Sequence, residues 1–142
     1  MVTLLASLAT GCLPVPHTHV RQPAATFRVE DSTGAPMVGA RITLFGGYAV
    51  GHRILDSTAI ETDVQGIATL PRERERHLWM MLMPDADAPW RWAFCVRAPG
   101  RAPQSGFLDG EPRDTIRIRL SGGSPPGCGA APRTLHDVMQ RR

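Results

Sequence analysis

Short stretches of alternating apolar and polar residues, separated by turn residues, run along most of this chain. Phe27 and Val29 alternate with Arg28 and Glu30, which is the period of a strand with one apolar face. The same alternation returns at residues 38–44, 90–97 and 114–120. Short strands at such close intervals are typical of an all-β protein. We therefore predict a seven-strand antiparallel β-sandwich.

The apolar side of each predicted strand should form the core of this sandwich. In the stretch that begins at Trp90, one face carries Trp92, Phe94 and Val96, while Cys95 lies on the opposite face. The continuously apolar run at residues 78–83 is also expected to be a core strand. The predicted core comprises Phe27, Val29, Ile42, Leu44, Ile60, Leu70, Leu82, Trp92, Phe94, Val96, Ile116 and Ile118.

Two turns separate the first strands. In the first, Asp31 can bond the backbone that follows it, Gly34 supplies a positive φ and Pro36 fixes its own φ. Asp63 to Gly66 form the second turn. The runs around these turns, VEDSTGAPMVGARITL and TDVQGIA, resemble a carboxypeptidase regulatory-like domain, as does the later run VRAPGRAP. The resemblance implies a prealbumin-like, Ig-like sandwich over residues 24–120. It speaks to fold more than to function.

The N-terminal residues 1–11 are apolar and uncharged, too short to span a bilayer but typical of the apolar part of a secretory signal. The run LATGC, which ends at Cys12, resembles the lipobox of bacterial lipoproteins. That resemblance implies a lipoprotein signal peptide over residues 1–11 and a lipidated Cys12. Residues 12–23 are proline-rich and are expected to form an extended tether. The alternative is an uncleaved apolar N-terminus with an ordinary cysteine.

The charges of the chain narrow the possible partners. All 16 basic residues are arginine, and the net charge is only +3. Because these charges are spread along the chain, and the run RERER at residues 72–76 mixes both signs, we expect no nucleic-acid partner. On a strand, this run would place arginines and glutamates on opposite faces and protect a sheet edge.

Familiar catalytic motifs are missing from the sequence. It contains no nucleophile elbow, phosphate-binding loop, HExxH pair or CxxC pair. We therefore expect no catalytic residues, no cofactor and no enzymatic activity.

Candidate binding residues lie in the Gly-rich connection 46–56 and in the expected tether. Tyr48, His52 and Arg53 lie in that connection, and loops on a rigid sandwich often carry binding function. A plain surface loop is the alternative. His17 and His19 would share one side of a strand, so they are weak candidates for a metal site, because two ligands alone do not make one. Solvated tether histidines are the alternative there.

Trp90 and Trp92 leave another possibility open. If they were exposed, they would form a platform on which sugars stack, as in a carbohydrate-binding sandwich. Their alternation with polar residues favours burial instead.

A disulfide between Cys95 and Cys128 is expected. If lipid consumes Cys12, an even number of cysteines remains for an oxidising compartment. The bridge would pin the Gly/Pro-rich tail, residues 121–142, over the outer face of the sheet. A short helix there would pack Leu135, Val138 and Met139. Two separate thiols are the alternative.

These observations lead to one expected function and two alternatives. The expectation is a lipid-anchored, non-enzymatic binding or structural module of the bacterial cell envelope, facing the periplasm or the cell surface. Its partners would be the membrane, through the lipid, and another envelope protein or a glycan. One alternative is a periplasmic metal-binding protein or small enzyme that uses the His-containing loops. The other is the carbohydrate-binding sandwich.

Overall fold

The computed structural model describes residues 15–48, 53–79, 90–108, 110, 112–123, 128, 134, 135 and 138, and the structural statements below concern these residues. Within them no helix is long and apolar enough to cross a membrane. The strands are β1 (Val15–Gln22), β2 (Ala25–Asp31), β3 (Arg41–Tyr48), β4 (Ile54–Glu61), β5 (Ile67–Leu70), β6 (Glu73–Trp79), β7 (Trp90–Arg97), β8 (Gln104–Leu108) and β9 (Ile116–Leu120).

The strands of this described part form three sheets. One is four-stranded in the order β4-β3-β7-β8, one is three-stranded in the order β5-β2-β9, and β1 and β6 pair as a two-stranded ribbon. β2 and β9 run parallel, with Phe27 opposite Ile116. The predicted all-β sandwich is confirmed, but its seven-strand, wholly antiparallel form is wrong. Parallel neighbours need a crossover connection, and the chain from β3 to β8, which includes the whole four-stranded sheet, supplies it.

The main core lies between the four-stranded and three-stranded sheets. Phe27 of β2 and Phe94 of β7 meet edge to face, with ring centroids 5.4 Å apart, a favourable aromatic geometry. Val38, by contrast, is 62% exposed, so the apolar face of its stretch begins at Ala40. The predicted core residues that are buried are Phe27, Val29, Ile42, Leu44, Leu70, Trp92, Phe94, Val96 and Ile118, while Ile60 and Ile116 are partly buried against them and Leu82 lies outside the described residues.

Both expected turns form around an aspartate. The carboxylates of Asp31 and Asp63 each accept backbone N–H groups from the residues two and four positions later, at 2.8 to 3.0 Å. Gly34 and Gly66 have φ values of 88° and 73°, which residues with a side chain rarely adopt. The turn chemistry therefore follows directly from the sequence.

Described residues of the C-terminal tail pack against the outer face of the four-stranded sheet. Cys95 and Cys128 form a disulfide with their Cα atoms 6.0 Å apart, which confirms the predicted pairing. Leu135 and Val138 are helical and fully buried, and they pack with Ala93 and the disulfide. The bridge thus pins the tail to the sheet as expected, while Met139 lies outside the described residues.

From Val15 onward, the segment expected as a tether is part of the fold. It forms β1, which pairs antiparallel with β6, and Gln22 is buried where β1 ends. β6 contains most of the run RERER, and its residues 73–76 are exposed. Leu78 and Trp79 continue this same strand rather than beginning a separate one. Residues 1–11 and Cys12 lie outside the described part of the chain.

Candidate binding site at the β1 corner

β1 lies against one end of the four-stranded sheet, and several side chains meet there. The Trp92 indole N–H donates to the carbonyl of Arg21 at 3.2 Å. The rings of His19 and Trp90 lie 5.8 Å apart between centroids. We name this group of residues the β1 corner: His19, Arg21, Asp56, Trp90 and Trp92.

Two glycines of β3 make room for Trp90 at this corner. A Cβ at Gly46 would come within 3.0 Å of the Trp90 indole, and one at Gly47 would collide with the backbone of Arg53. The pairing of β3 with β4 shifts between the two glycines, which forms a β-bulge. A side chain at position 46 would therefore displace the ring that His19 contacts.

An ion pair between Arg21 and Asp56 lies on the side of the β1 corner that faces β4. The Arg21 Nε donates to Asp56 Oδ2 at 2.6 Å, and the two side chains are 48% and 31% exposed. This hydrogen bond, and then the charge of Asp56, raise the pKa of Arg21 above its ordinary value. The charges of Glu75 and Glu73 on β6 also raise the pKa of Arg21.

The structure brings some of the predicted binding residues to this corner and separates others. Tyr48 is the last residue of β3 and pairs with Trp90 in register. His19 lies in the corner itself. Arg53, in contrast, is exposed and forms a β-bridge with Thr134 of the tail. His52 lies outside the described residues.

Sequence reasoning missed the ion pair, whereas its preference for buried tryptophans is confirmed for Trp92. Arg21 and Asp56 are 35 residues apart, so no local pattern links them. Trp92 is only 8% exposed and uses its N–H on the backbone, while Trp90 is half-buried. The two rings therefore do not form the exposed platform that a carbohydrate-binding sandwich would need.

The cavities seen in the described part are small. One of about 10 Å³ lies between Arg21, Asp56 and Trp92. Another of about 160 Å³ is bordered by the start of β2, the end of β5 and residues 112–115. Pockets for drug-sized ligands begin at about 300 Å³. Among the side chains that are described, no group of three or more His, Cys, Asp or Glu residues is placed to hold a metal. The corner is thus a surface rather than a pocket.

The comparisons with known proteins give little for this chain. No family model matches it, and no curated protein matches it. Its structure is similar to that of 3-chlorocatechol 1,2-dioxygenase from Rhodococcus opacus 1CP, with a TM-score of 0.42 and 13% sequence identity over 78% of this chain. The match spans 61% of the dioxygenase chain. A structural similarity this low gives no information on the activity or the site residues of this chain.

The expectation that the protein is not an enzyme does not stand. That expectation was drawn from absent motifs alone, and the likeness to a dioxygenase assigns no reaction to this chain either. Fold and missing motifs therefore do not exclude catalysis, because function depends on the site rather than on the architecture. We drop the expectation and assign no reaction to this chain.

Proposed function

We propose that this chain is a lipid-anchored binding module of the bacterial cell envelope, built on a carboxypeptidase regulatory-like sandwich. The disulfide between Cys95 and Cys128 carries the proposal. Such bonds form and persist in oxidising compartments, which include the periplasm and the cell surface. The remaining cysteine, Cys12, ends the apolar run that resembles a lipobox.

A lipid on Cys12 would hold the β1–β6 ribbon close to the bilayer. Cys12 precedes Val15, the first residue of β1, by three positions. An extended chain spans at most about 3.6 Å per residue, so the anchor would lie within about 11 Å of the start of this strand. The ribbon is therefore the part of the fold nearest to the membrane in this proposal.

The β1 corner is the surface offered to a partner. It combines a half-buried tryptophan with the half-exposed ion pair of Arg21 and Asp56. Tryptophan and arginine are among the residues that contribute most to protein interfaces. Because Trp92 is buried, stacking on a sugar is disfavoured, and the proposed partner is another envelope protein.

Fractionation of bacteria that express the full chain tests the anchor. Wild-type protein is expected in the membrane and in the detergent phase, whereas Cys12→Ser is expected in the aqueous phase. Cys128→Ser serves as the matched control, because it removes the bridge and should leave the protein in the membrane. Wild-type protein in the aqueous phase, or Cys12→Ser in the membrane, would contradict the proposal.

A further inference from the structure

The three-stranded sheet packs one face into the core, and its outer face carries three arginines. Along β2 and β9, buried apolar residues alternate with polar ones, so the polar positions share the outer face. These positions include Arg28 on β2 and Arg117 and Arg119 on β9, and the last two are exposed to solvent. We name these three residues the arginine face.

Two of these arginines are direct neighbours across the sheet. The parallel pairing of β2 with β9 places Arg28 opposite Arg117 and Glu30 opposite Arg119. Like charges in opposite positions on two paired strands destabilise the pairing. An anion that accepts hydrogen bonds from both guanidinium groups would remove this repulsion.

One carboxylate offsets part of the charge of the arginine face. Glu30 accepts a hydrogen bond from Arg28 Nε at 2.7 Å and lies 3.9 Å from Arg119 Nη2. The Glu30 side chain is only 15% exposed, whereas that of Arg119 is 66% exposed. Arg117 forms no ion pair within the described part of the chain. Three arginines and one glutamate leave two net positive charges here, and the more exposed side chains are the cationic ones.

The composition of this surface fits a layer of phosphate groups better than a protein partner. Interfaces between proteins have cores in which aromatic residues are enriched. The remaining outer positions of β2 and β5 in their paired segment are Thr26, Ile67 and Thr69, none of which is aromatic. Guanidinium groups donate paired hydrogen bonds to phosphate oxygens. Arginines on adjacent strands therefore match phosphates that lie side by side in a lipid surface.

The sheet that carries the arginine face is joined directly to the β1–β6 ribbon. Only residues 23–24 separate β1 from β2, and only residues 71–72 separate β5 from β6. β1 pairs antiparallel with β6, as β2 does with β5, so the ribbon extends the β2–β5 pair. A lipid on Cys12, just before the ribbon, would therefore bring this sheet close to the bilayer.

We propose that the arginine face docks on a bilayer surface that contains anionic phospholipids. The bilayer as occupant rests on the proposed membrane anchor and on charge complementarity, whereas the affinity for anionic lipid belongs to the face itself. Docking would fix the orientation of the domain on the membrane. Because the arginine face shares no residue with the β1 corner, the corner would remain available to a protein partner.

Vesicle flotation tests this docking with Cys12→Ser, a full-length chain without a lipid of its own. It should bind vesicles of equal parts phosphatidylglycerol and phosphatidylcholine more tightly than vesicles of phosphatidylcholine alone. The apolar N-terminus would bind both kinds of vesicle alike, so the difference reports on the arginine face. This difference should vanish in about 1 M salt, where the Debye length is only about 3 Å.

Charge variants made in the Cys12→Ser chain identify the residues responsible. Arg117→Gln and Arg119→Gln should each weaken binding to the anionic vesicles about fivefold, which corresponds to about 1 kcal/mol per arginine. Glu30→Gln should strengthen binding by a similar factor, because it removes the acid from beneath the arginines. Arg91→Gln, an exposed position on the four-stranded sheet, is the matched control and should leave binding unchanged.

Equal binding to the two kinds of vesicle, an unchanged affinity in Arg117→Gln, or an equal loss in Arg91→Gln would overturn the proposal. Binding to a glutamate-rich peptide without binding to vesicles would overturn it in favour of an acidic protein partner. Release from vesicles by inorganic phosphate at constant ionic strength would overturn it in favour of a small-anion site. Circular dichroism identifies a variant that fails to fold, in which case Arg119→Gln decides. Because the tested chain lacks the lipid, failure here is distinct from failure of the anchor, which fractionation tests.

Discussion

At the scale of single residues, Asp31 shows how one carboxylate organises a turn. It accepts hydrogen bonds from the Thr33 hydroxyl at 2.6 Å and from the backbone N–H groups of Thr33 and Ala35 at 2.8 and 3.0 Å. These hydrogen bonds hold the pKa of Asp31 below its ordinary value, and the bond from the Thr33 hydroxyl has the largest effect. The charge of Arg101, 3.7 Å away, lowers this pKa further. The turn is therefore built for the charged form of this side chain.

The stability that Asp31 contributes should depend on pH. A carboxyl group with a lowered folded-state pKa stabilises the fold above its unfolded pKa of about 3.9, and this stabilisation is lost as the pH falls through the folded pKa. Asp31→Asn should thus be less stable than wild type at neutral pH, with the difference shrinking in acid. Urea unfolding at a series of pH values measures this, with the exposed Asp114→Asn as control. A difference that does not change with pH would contradict the interpretation.

Gly106 marks a close approach inside the core. It lies opposite Phe94 on β7, and a Cβ at this position would come within 2.5 Å of the ring. Gly106→Ala should therefore lower the free energy of unfolding by about 1–3 kcal/mol, the usual cost of overpacking. At Gly122 an added Cβ would meet no atom within 4 Å, so Gly122→Ala should stay within about 0.5 kcal/mol of wild type. Equal effects in urea unfolding would argue against this packing.

At the scale of elements, the C-terminal tail depends on its covalent link to β7. Cys95 and Cys128 are separated by 33 residues, and chain entropy assigns a loop of this length about 4 kcal/mol of stabilisation. Leu135 and Val138 are fully buried against the same cluster, so they need the tail in place. The tail and the outer face of the sheet therefore form one unit.

Cys128→Ser should release this unit. The expected result is a loss of about 4 kcal/mol or less in the free energy of unfolding, together with faster hydrogen exchange at the outer face of β7. Urea unfolding and exchange mass spectrometry measure both. The control is Leu135→Ala, which keeps the bridge and should cost about 2–5 kcal/mol through the cavity it leaves. Unchanged exchange in Cys128→Ser would show that the tail packs without the bridge.

The sequence predicted which face of most strands is buried, but it did not predict which strands are neighbours. Ile42 and Phe94 could be placed in the core because successive side chains of a strand alternate between its two faces, so the apolar positions identify the buried face. The same alternation does not indicate which strands pair, so the parallel pairing of β2 with β9 could not be predicted. β1 lies in the segment that was expected to be a tether, and residues 73–76 of β6 are all charged, so the pairing of these two strands was not predicted. The β1 corner depends on contacts as distant as Arg21 with Asp56, which only the fold brings together.

At the scale of the whole molecule, β1 and the described residues of the tail both contact β7 of the four-stranded sheet. The tail is bound by its disulfide to the four-stranded sheet, and Cys12 comes just before the ribbon. In the proposed envelope module, lipid and bridge are both products of export. The ribbon next to the bilayer would then contribute His19 and Arg21 to the surface for a protein partner.

Intact mass of the protein isolated from bacterial membranes tests this account most directly. The predicted mass is that of a chain which begins at Cys12 and carries acyl groups on that residue. On reduction, the mass should rise only by the hydrogen atoms added when one disulfide is reduced. Thiol counting before reduction should then find no free cysteine. An unlipidated chain that still begins at Met1, or free thiols at Cys95 and Cys128, would contradict the account.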